Sequence, residues 1–129
     1  MVLKILIFTN RLPTLTPAEF KNYYETHHMP LIQKISGDDA WLSHTRNYIP
    51  RDSDTNTAQL IIGDQDLEFD CVAEVIYRDQ EQLQRQMAAV GTSENTRLRE
   101  EDEERFIERR SVKVVVVESC GGSVGGFGG

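Results

Sequence analysis

The sequence predicts an α+β domain of the ferredoxin-like kind, with the order βαββαβ and helices on one face of an antiparallel sheet. Three observations predict it. Four segments are rich in β-branched and aliphatic residues, helical segments with capping signals lie between them, and the two middle strands follow one another without a helix. With 129 residues, the chain has the length of one domain. We assign residues 1–119 to this domain and residues 120–129 to a glycine-rich tail.

The first strand is predicted over residues 2–9, because VLKILIFT is aliphatic and β-branched and has no helical period. It is expected to be buried. Its charged residue, Lys4, is therefore expected near an end or an edge of the sheet.

The first helix is predicted to begin after Thr16, because Thr16 can cap it, Pro17 fits its first turn and Glu19 completes a capping box. Spacings of three and four then place one stripe of residues towards the core: Phe20, Tyr24, His27, His28, Leu31 and Ile35. Pro30 removes a backbone donor and crowds the preceding turn, so a kink or break is expected over residues 28–30.

Turn residues and changes of hydrophobic period divide the rest of the chain. The predicted segments are a half-buried strand over 41–49, a surface loop over 50–59, an edge strand or extended connection over 60–68, a strand over 68–77, helices over 80–90 and about 93–109, and a buried strand over 111–119. Asp79 is the expected cap of the second helix, with Gln82 at the capping-box position. The predicted inward residues of the last two helices are Leu83, Met87 and Val90, then Leu98, Asp102, Phe106 and Ile107.

The first and last strands carry apolar residues on both faces, whereas the helices can cover only one face of the sheet. A second copy of the sheet, packed face to face, would cover the other, so a symmetric homodimer is expected. In the tail, Val124 or Phe127 either belongs to a flexible segment or folds back over a pocket.

The composition excludes several classes of partner and cofactor. The formal net charge of -7 argues against binding to nucleic acids or anionic membranes, because phosphate binding needs clustered Lys and Arg. Without a spanning apolar run or a signal-peptide pattern, a soluble cytoplasmic protein is expected. Cys71 and Cys120 lack the spacing of a metal or redox motif and are expected to be reduced and structural. No P-loop, GxGxxG, GxSxG or HExxH motif is present, so no cofactor is expected.

The candidate site centres on YYETHHMPLI, residues 23–32, which places two of the three histidines beside a proline. An imidazole can both take and give a proton near neutral pH, which makes His28 the candidate acid–base catalyst; a histidine satisfied within the core is the alternative. His27 points about 100° away around the helix, so only one of the two can point squarely into a cleft. His27 is kept as a candidate substrate-binding residue. Adjacent helical histidines do not suit zinc, so no metal is expected.

Several aromatic residues could line a flat pocket for a polycyclic ligand, or could be ordinary core residues. They are Tyr23, Tyr24, Trp41, Tyr48, Tyr77 and Phe106, and the hydroxyl of Tyr24 is also a catalytic candidate. Glu74 lies on a largely apolar strand, where a carboxylate must be paired or have a raised pKa. It is a catalytic candidate if it orients a histidine, and a structural residue if it forms a salt bridge to Arg46 across the dimer. Asp102 is expected to act as a cap or in an ion pair.

The run TNRLPTLTPAEFKNYYETHHMPLI resembles the opening of EthD-domain proteins, which have a strand, a helix with an aromatic pair, and a His followed two residues later by Pro. In this chain these are Tyr23, Tyr24, His28 and Pro30. FDCVAEVIYRDQEQLQ and EDEERFIERRSVKVVVVES resemble the family's third strand with its helix and its closing segment. The resemblance spans nearly all of residues 2–119, and the polar connection over 50–67 departs from it, as does the tail.

The resemblance implies a dimeric α+β barrel, in which two ferredoxin-like sheets meet face to face and each subunit holds a cleft between its sheet and its helices. It also implies a cofactor-independent lyase that decarboxylates an aromatic polyketide acid of the anthrone or anthraquinone type in secondary-metabolite biosynthesis, with His28 as acid–base catalyst. The alternatives are a cofactor-free anthrone-type monooxygenase or polyketide cyclase on the same scaffold, and a non-catalytic module that binds a ligand or assembles with a protein.

Overall fold

The computed structural model describes residues 2–121, which form one antiparallel sheet and a layer of helices. The strands are β1 (Leu3–Thr9), β2 (Ser43–Tyr48), β3 (Cys71–Tyr77) and β4 (Lys113–Val117). The α-helices are α1 (Pro17–Tyr23), α2 (Met29–Ser36), α3 (Gln80–Val90) and α4 (Ser93–Glu103). A π-helical turn, Tyr24–His28, joins α1 to α2. The order of elements is the predicted ferredoxin-like α+β arrangement.

The strand order in the sheet is β2-β3-β1-β4, and every neighbouring pair is antiparallel. Ile5 lies opposite Val75, and Ile7 lies opposite Ala73, on the face that the helices cover. The core continues beneath α1 and the π-turn as a second cluster, formed by Phe20, Tyr24, Met29, Cys71, Phe106 and Ile107. In the predicted third strand, alternate residues from Cys71 to Tyr77 are therefore buried. Burial raises the pKa of the free Cys71 thiol to about 12, so this residue stays a thiol in the core, whereas free Cys120 is exposed.

Local capping signals place the helix starts where the sequence predicted them. The Thr16 hydroxyl accepts a hydrogen bond from the Glu19 backbone at 3.1 Å, and the Glu19 carboxylate accepts one from the Thr16 backbone at 2.9 Å. Asp79 accepts a hydrogen bond from the Gln82 backbone at the start of α3. These caps satisfy amide donors that have no partner within the helix.

The expected break at residues 28–30 is replaced by the π-turn, and the helical rod continues through it. The Met29 amide donates to the carbonyl of Tyr24, five residues back. This wider turn accommodates Pro30, which has no amide hydrogen, in the first turn of α2. The extra residue shifts the helical phase, so His27 is exposed while Met29 and Ser36 are buried.

The last two helices differ from prediction in their inward residues and length. In α3, Gln82 and Gln86 are buried and Met87 is 61 % exposed, because both glutamines find internal hydrogen-bond partners. Helix α4 ends at Glu103 rather than near 109. There the chain turns, with the Phe106 amide donating to the Glu103 carbonyl, and tucks Phe106 and Ile107 into the core.

The face of the sheet away from the helices bears on two expectations. Lys4 is the second residue of β1, near the end of this interior strand as expected, and its ammonium is 3.4 Å from Glu74 on the same outer face. Strand β4 is an edge strand, and within one subunit it is not buried. Its three central valines, Val114, Val115 and Val116, are 57, 45 and 62 % exposed.

The connection between β2 and β3 forms a loop held by one arginine. Residues 60–68 contain no strand, and the connection's one β-bridge joins Arg51 to Ala58. The Arg51 guanidinium donates to Asp70 at 2.6 Å and to the carbonyls of Leu67 and Phe69. Its side chain is buried by these contacts, which order an otherwise polar segment.

Two remaining expectations concern the tail and the membrane. Val124 and Phe127 lie outside the described residues. Within residues 2–121, no helix is both long and apolar enough to cross a membrane.

Candidate active site

A cleft of about 400 Å³ lies between the helical layer and the inner face of the sheet. This volume is near the lower end of the range for pockets that enclose small organic ligands. Its walls are mainly apolar: Tyr24, Trp41, Tyr77 and Phe106 contribute rings, and Ile7 and Ile32 contribute aliphatic surface. The cleft is therefore suited to a flat apolar body with a few polar substituents.

His28 lies at the end of the π-turn and faces this cleft with its side chain 15 % exposed. Its Nδ1 is 2.6 Å from Oδ2 of Asp102, a buried residue of α4. The other oxygen of Asp102 accepts a hydrogen bond from the Tyr23 hydroxyl at 2.9 Å. Helix α4 thus supplies the carboxylate, and its two partners come from the end of α1 and the end of the π-turn.

The contact with Asp102 fixes the tautomer of His28. A carboxylate can only accept, so Nδ1 carries the hydrogen, and Nε2 of the neutral ring keeps its lone pair for a ligand. When Nε2 takes up a proton, Asp102 stabilises the resulting imidazolium. Burial, with the hydrogen bond to Asp102, raises the pKa of Tyr23 to about 12, so Tyr23 remains a donor at neutral pH.

Two rings hold the imidazole of His28 in place. The Phe106 ring centroid is 4.9 Å from it, and the Tyr24 ring meets it edge-on at 5.1 Å. Burial raises the pKa of Tyr24 above its ordinary value, so its hydroxyl can act as a hydrogen-bond donor and not as a base.

One hydroxyl in the cleft wall lacks a partner. Thr9 is 4 % exposed, and among residues 2–121 its Oγ1 forms no hydrogen bond. Leaving a buried hydroxyl unpaired costs on the order of 1–3 kcal/mol. A polar atom of a bound ligand would remove this cost. At the other end of β1 and β3, the polar groups of the cleft wall are paired with one another, because Tyr77 donates to Gln86 and Gln86 donates to Ser36.

His44, on β2, is a second imidazole in the cleft lining. Its ring packs edge-on against Trp41 with centroids 4.8 Å apart. Arg46, two residues further along the same face, is held by Glu25 through hydrogen bonds of 2.8 and 2.7 Å. Burial, then the charges of Arg46 and His28, lower the pKa of His44 to about 4.

Residues 12–110 match the family model described as the EthD domain. The chain belongs to the EthD-domain family. A search of curated protein sequences finds no significant match.

Among solved structures, the EthD domain is similar to an EthD-family protein of Bacillus halodurans, with 22 % identity and a TM-score of 0.56 over 93 % of this chain and 100 % of that one. It is also similar to an EthD-like protein of Ralstonia eutropha, with 15 % identity and a TM-score of 0.56 over 90 % of this chain and 87 % of that one. A third, SnoaB, a cofactor-independent oxygenase from Streptomyces nogalater, has 14 % identity and a TM-score of 0.47 over 92 % of this chain and 91 % of that one. The first two show that the fold is shared.

Within this EthD domain, the predicted site residues fall into three groups. The cleft is lined by His28, Tyr24, Trp41, Tyr77 and Phe106. Tyr23 and Tyr48 contact polar side chains outside the lining, where they donate to Asp102 and Glu25 respectively. His27 and Glu74 lie away from the cleft.

The expectations for His27 and Glu74 are therefore corrected. His27 is exposed and stacks on Tyr23 with centroids 4.6 Å apart, because the π-turn rotates it out of the stripe. Glu74 lies on the outer face of the sheet, with its side chain 44 % exposed, and pairs with Lys4. It orients no histidine in this subunit, and Arg46 pairs with Glu25 instead.

Three polar groups of the site were not predicted. They are His44, Thr9 and the carboxylate of Asp102 in its role as the partner of His28. Strand alternation contains a signal for His44, since residues 44, 46 and 48 of one strand lie on the same face. Asp102 was recognised as inward-facing, but its partner is 74 residues away in sequence. Within residues 2–121, no group of three or more His, Cys, Asp or Glu side chains could hold a metal ion.

The environment of His44 predicts a loss of stability in mild acid. The pKa of His44 in the folded domain is about 4, below its ordinary value of 6.5, so the unfolded chain binds more protons between these values. The free energy of unfolding should therefore fall as the pH falls from 6.5 to 4, by about 3 kcal/mol over the whole interval. Urea unfolding at several pH values, followed through Trp41 fluorescence, measures this slope. The His44→Gln variant should lose most of it, and an unchanged slope in that variant would contradict the assignment.

Proposed function

We propose that this EthD domain is a cofactor-independent decarboxylase of an aromatic hydroxy or β-keto carboxylic acid, with His28 as the acid–base catalyst. The observation that carries the proposal is the hydrogen bond of His28 to buried Asp102 at the wall of an apolar, ring-lined cleft. An acid of the anthrone or anthraquinone type, as formed in aromatic polyketide biosynthesis, has the flat shape and the polar substituents that this cleft would take.

The reaction needs one proton and an electron sink. The bond between the carboxylate and its carbon breaks, carbon dioxide leaves, and the electron pair passes into the conjugated ring or carbonyl of the substrate. The imidazolium of His28 gives its Nε2 proton to the carbon that lost the carboxylate, and the neutral ring then recovers a proton from water. Substrate carboxylate and one proton thus become product and carbon dioxide.

The surroundings of His28 favour this proton transfer. Asp102 stabilises the imidazolium before the transfer, and the rings of Tyr24 and Phe106 restrict its orientation. The Tyr24 hydroxyl stays protonated and can donate to a developing oxyanion. The mainly apolar lining lowers the local dielectric constant, which strengthens these interactions.

We further propose that two subunits associate through the outer face of the sheet, with residues 1–119 as the folding unit. That face carries Leu6, Phe8, Val72, Ile76 and Val115, and among residues 2–121 the helices pack on the opposite face. A second copy would cover the apolar surface and leave the cleft, on the opposite side of the sheet, accessible.

The test incubates the purified protein with hydroxyaryl and β-keto carboxylic acids of one to three fused rings, in the presence of a chelator and with or without dioxygen. Carbon dioxide release that does not depend on dioxygen is expected for wild type, and His28→Gln should be at least about 100-fold slower. His27→Gln, the same substitution at the exposed neighbour, is the matched control and should retain activity. Absence of carbon dioxide from every acid would reject the decarboxylase. A product that requires dioxygen would assign an oxygenase instead.

A further inference from the structure

The cleft contains a second imidazole, that of His44. Its charged neighbour is the cation Arg46, whereas that of His28 is the anion Asp102. His44 pairs with Val75 in the sheet, and Val75 is buried on the helix-covered face and lines the same cleft. The register therefore directs His44 inward. Trp41 packs against its ring and limits its rotation.

Arg46 determines which nitrogen of His44 carries the hydrogen. Nη1 of Arg46 is 3.4 Å from Nδ1 of His44, and a guanidinium has only donors, so Nδ1 accepts and the hydrogen resides on Nε2. The same guanidinium donates to the His44 carbonyl and is held by two hydrogen bonds to Glu25. Arg46 is thus a fixed positioning residue for the ring.

Burial and the neighbouring charges keep His44 neutral. Burial is the largest cause of its lowered pKa, Arg46 beside it and His28 in the same cleft further disfavour a second positive charge, and Glu25 opposes these effects from behind Arg46. Glu25 itself is engaged by Arg46 and Tyr48, and these contacts hold its pKa at about 2. At neutral pH, His44 therefore presents an uncharged N–H donor.

The two imidazoles are complementary at Nε2: His28 offers a lone pair or a transferable proton, and His44 offers a fixed hydrogen. We propose that Nε2–H of His44 donates a hydrogen bond to the phenolic or carbonyl oxygen that becomes negative as carbon dioxide leaves. This inference rests on the proposed function and names its substrate class more closely. The acid must carry an oxygen conjugated with the carbon that bears the carboxylate, because only then does charge develop at an atom that His44 can stabilise. A neutral donor suits this role, since it cannot transfer its proton to the product prematurely.

The first arm of the test needs no turnover. Long-range proton–nitrogen NMR of histidine-labelled protein at neutral pH should show His44 as the neutral Nε2–H tautomer, assigned by its loss in His44→Gln. Arg46→Lys should yield a mixture of tautomers, because lysine lacks the planar guanidinium whose N–H groups make Nδ1 the acceptor. A protonated His44, or the Nδ1–H tautomer, in the wild-type protein would overturn the proposal.

The second arm measures ligand affinity with an unreactive probe. Trp41, the single tryptophan of the chain, reports binding of a dihydroxyanthraquinone whose hydroxyls flank one carbonyl. The His44→Phe variant should bind this probe roughly three- to tenfold more weakly, with His44→Gln in between. Anthraquinone without hydroxyls should be less affected. The matched control is His27→Phe, at an exposed position, which should bind like wild type. Equal affinity of wild type and His44→Phe would overturn the proposal.

The third arm measures turnover. His44→Phe should lower kcat about 10²–10³-fold with KM changed by only a few-fold, and His44→Gln should recover part of kcat. If wild type binds the probe and shows the neutral tautomer but releases no carbon dioxide, the proposed function fails while the donor role of His44 in ligand binding stands. If carbon dioxide is released equally by wild type and either His44 variant, the decarboxylase stands and this inference fails.

Discussion

Replacing Asp102 by asparagine is expected to lower kcat for decarboxylation by about 10³–10⁴-fold while leaving the fold intact. An asparagine amide can fill the same space and still accept from the Tyr23 hydroxyl. Its NH₂ group would then face Nδ1 of His28 and donate to it, so the ring hydrogen would move to Nε2. In that tautomer His28 presents no lone pair to the cleft, and its imidazolium loses the carboxylate that stabilises it.

Steady-state kinetics, with circular dichroism and urea unfolding as checks of folding, measure this effect. The matched control is Asp64→Asn, which makes the same chemical change at an exposed position of the β2–β3 loop. It should be neutral. Activity of Asp102→Asn within tenfold of wild type would show that the carboxylate does not set the state of His28.

Replacing Val115 by lysine is expected to convert the proposed dimer to monomers, with the dissociation constant raised by about 10⁴-fold or more. Val115 lies opposite Leu6 on the outer face, at the surface proposed to be buried between subunits. A symmetric interface receives each new charge twice, and an unpaired buried charge costs about 3–5 kcal/mol. Val115 is 45 % exposed in the single subunit, so the subunit itself should remain folded.

The adjacent residue provides the control for this prediction. Val116 belongs to the same edge strand but projects from the opposite face, where it is 62 % exposed. Val116→Lys should therefore leave the dimer unchanged. Light scattering across a concentration series measures both variants. A monomeric wild type, or equal dissociation constants for the two variants, would reject the outer face as the interface.

Local signals predicted the fold well because they act over a few residues. The caps at Thr16 and Asp79 each depend on atoms within three residues, and the alternation from Cys71 to Tyr77 is set by the strand itself. The π-turn could not be predicted in this way. Both a break and a widened turn accommodate Pro30, and only packing against the sheet and α4 decides between them.

The site was less predictable, because its contacts join distant segments. The sequence offered His28 and most of the rings around it as candidates, and Asp102 as an inward residue, but the pairing of His28 with Asp102 depends on how α4 crosses the π-turn. Glu74 was misassigned for a different reason. Alternation already placed it opposite the buried face, and the error was to treat both faces of the strand as equally buried within one subunit.

Decarboxylation in deuterium oxide, with a chelator and without dioxygen, shows whether His28 supplies the proton. If His28 delivers the proton, wild type should release carbon dioxide and place one deuterium at the carbon that carried the carboxylate, and His28→Gln should do so at least about 100-fold more slowly than His27→Gln. Equal rates for the two variants, or a product without deuterium at that carbon, would contradict the account.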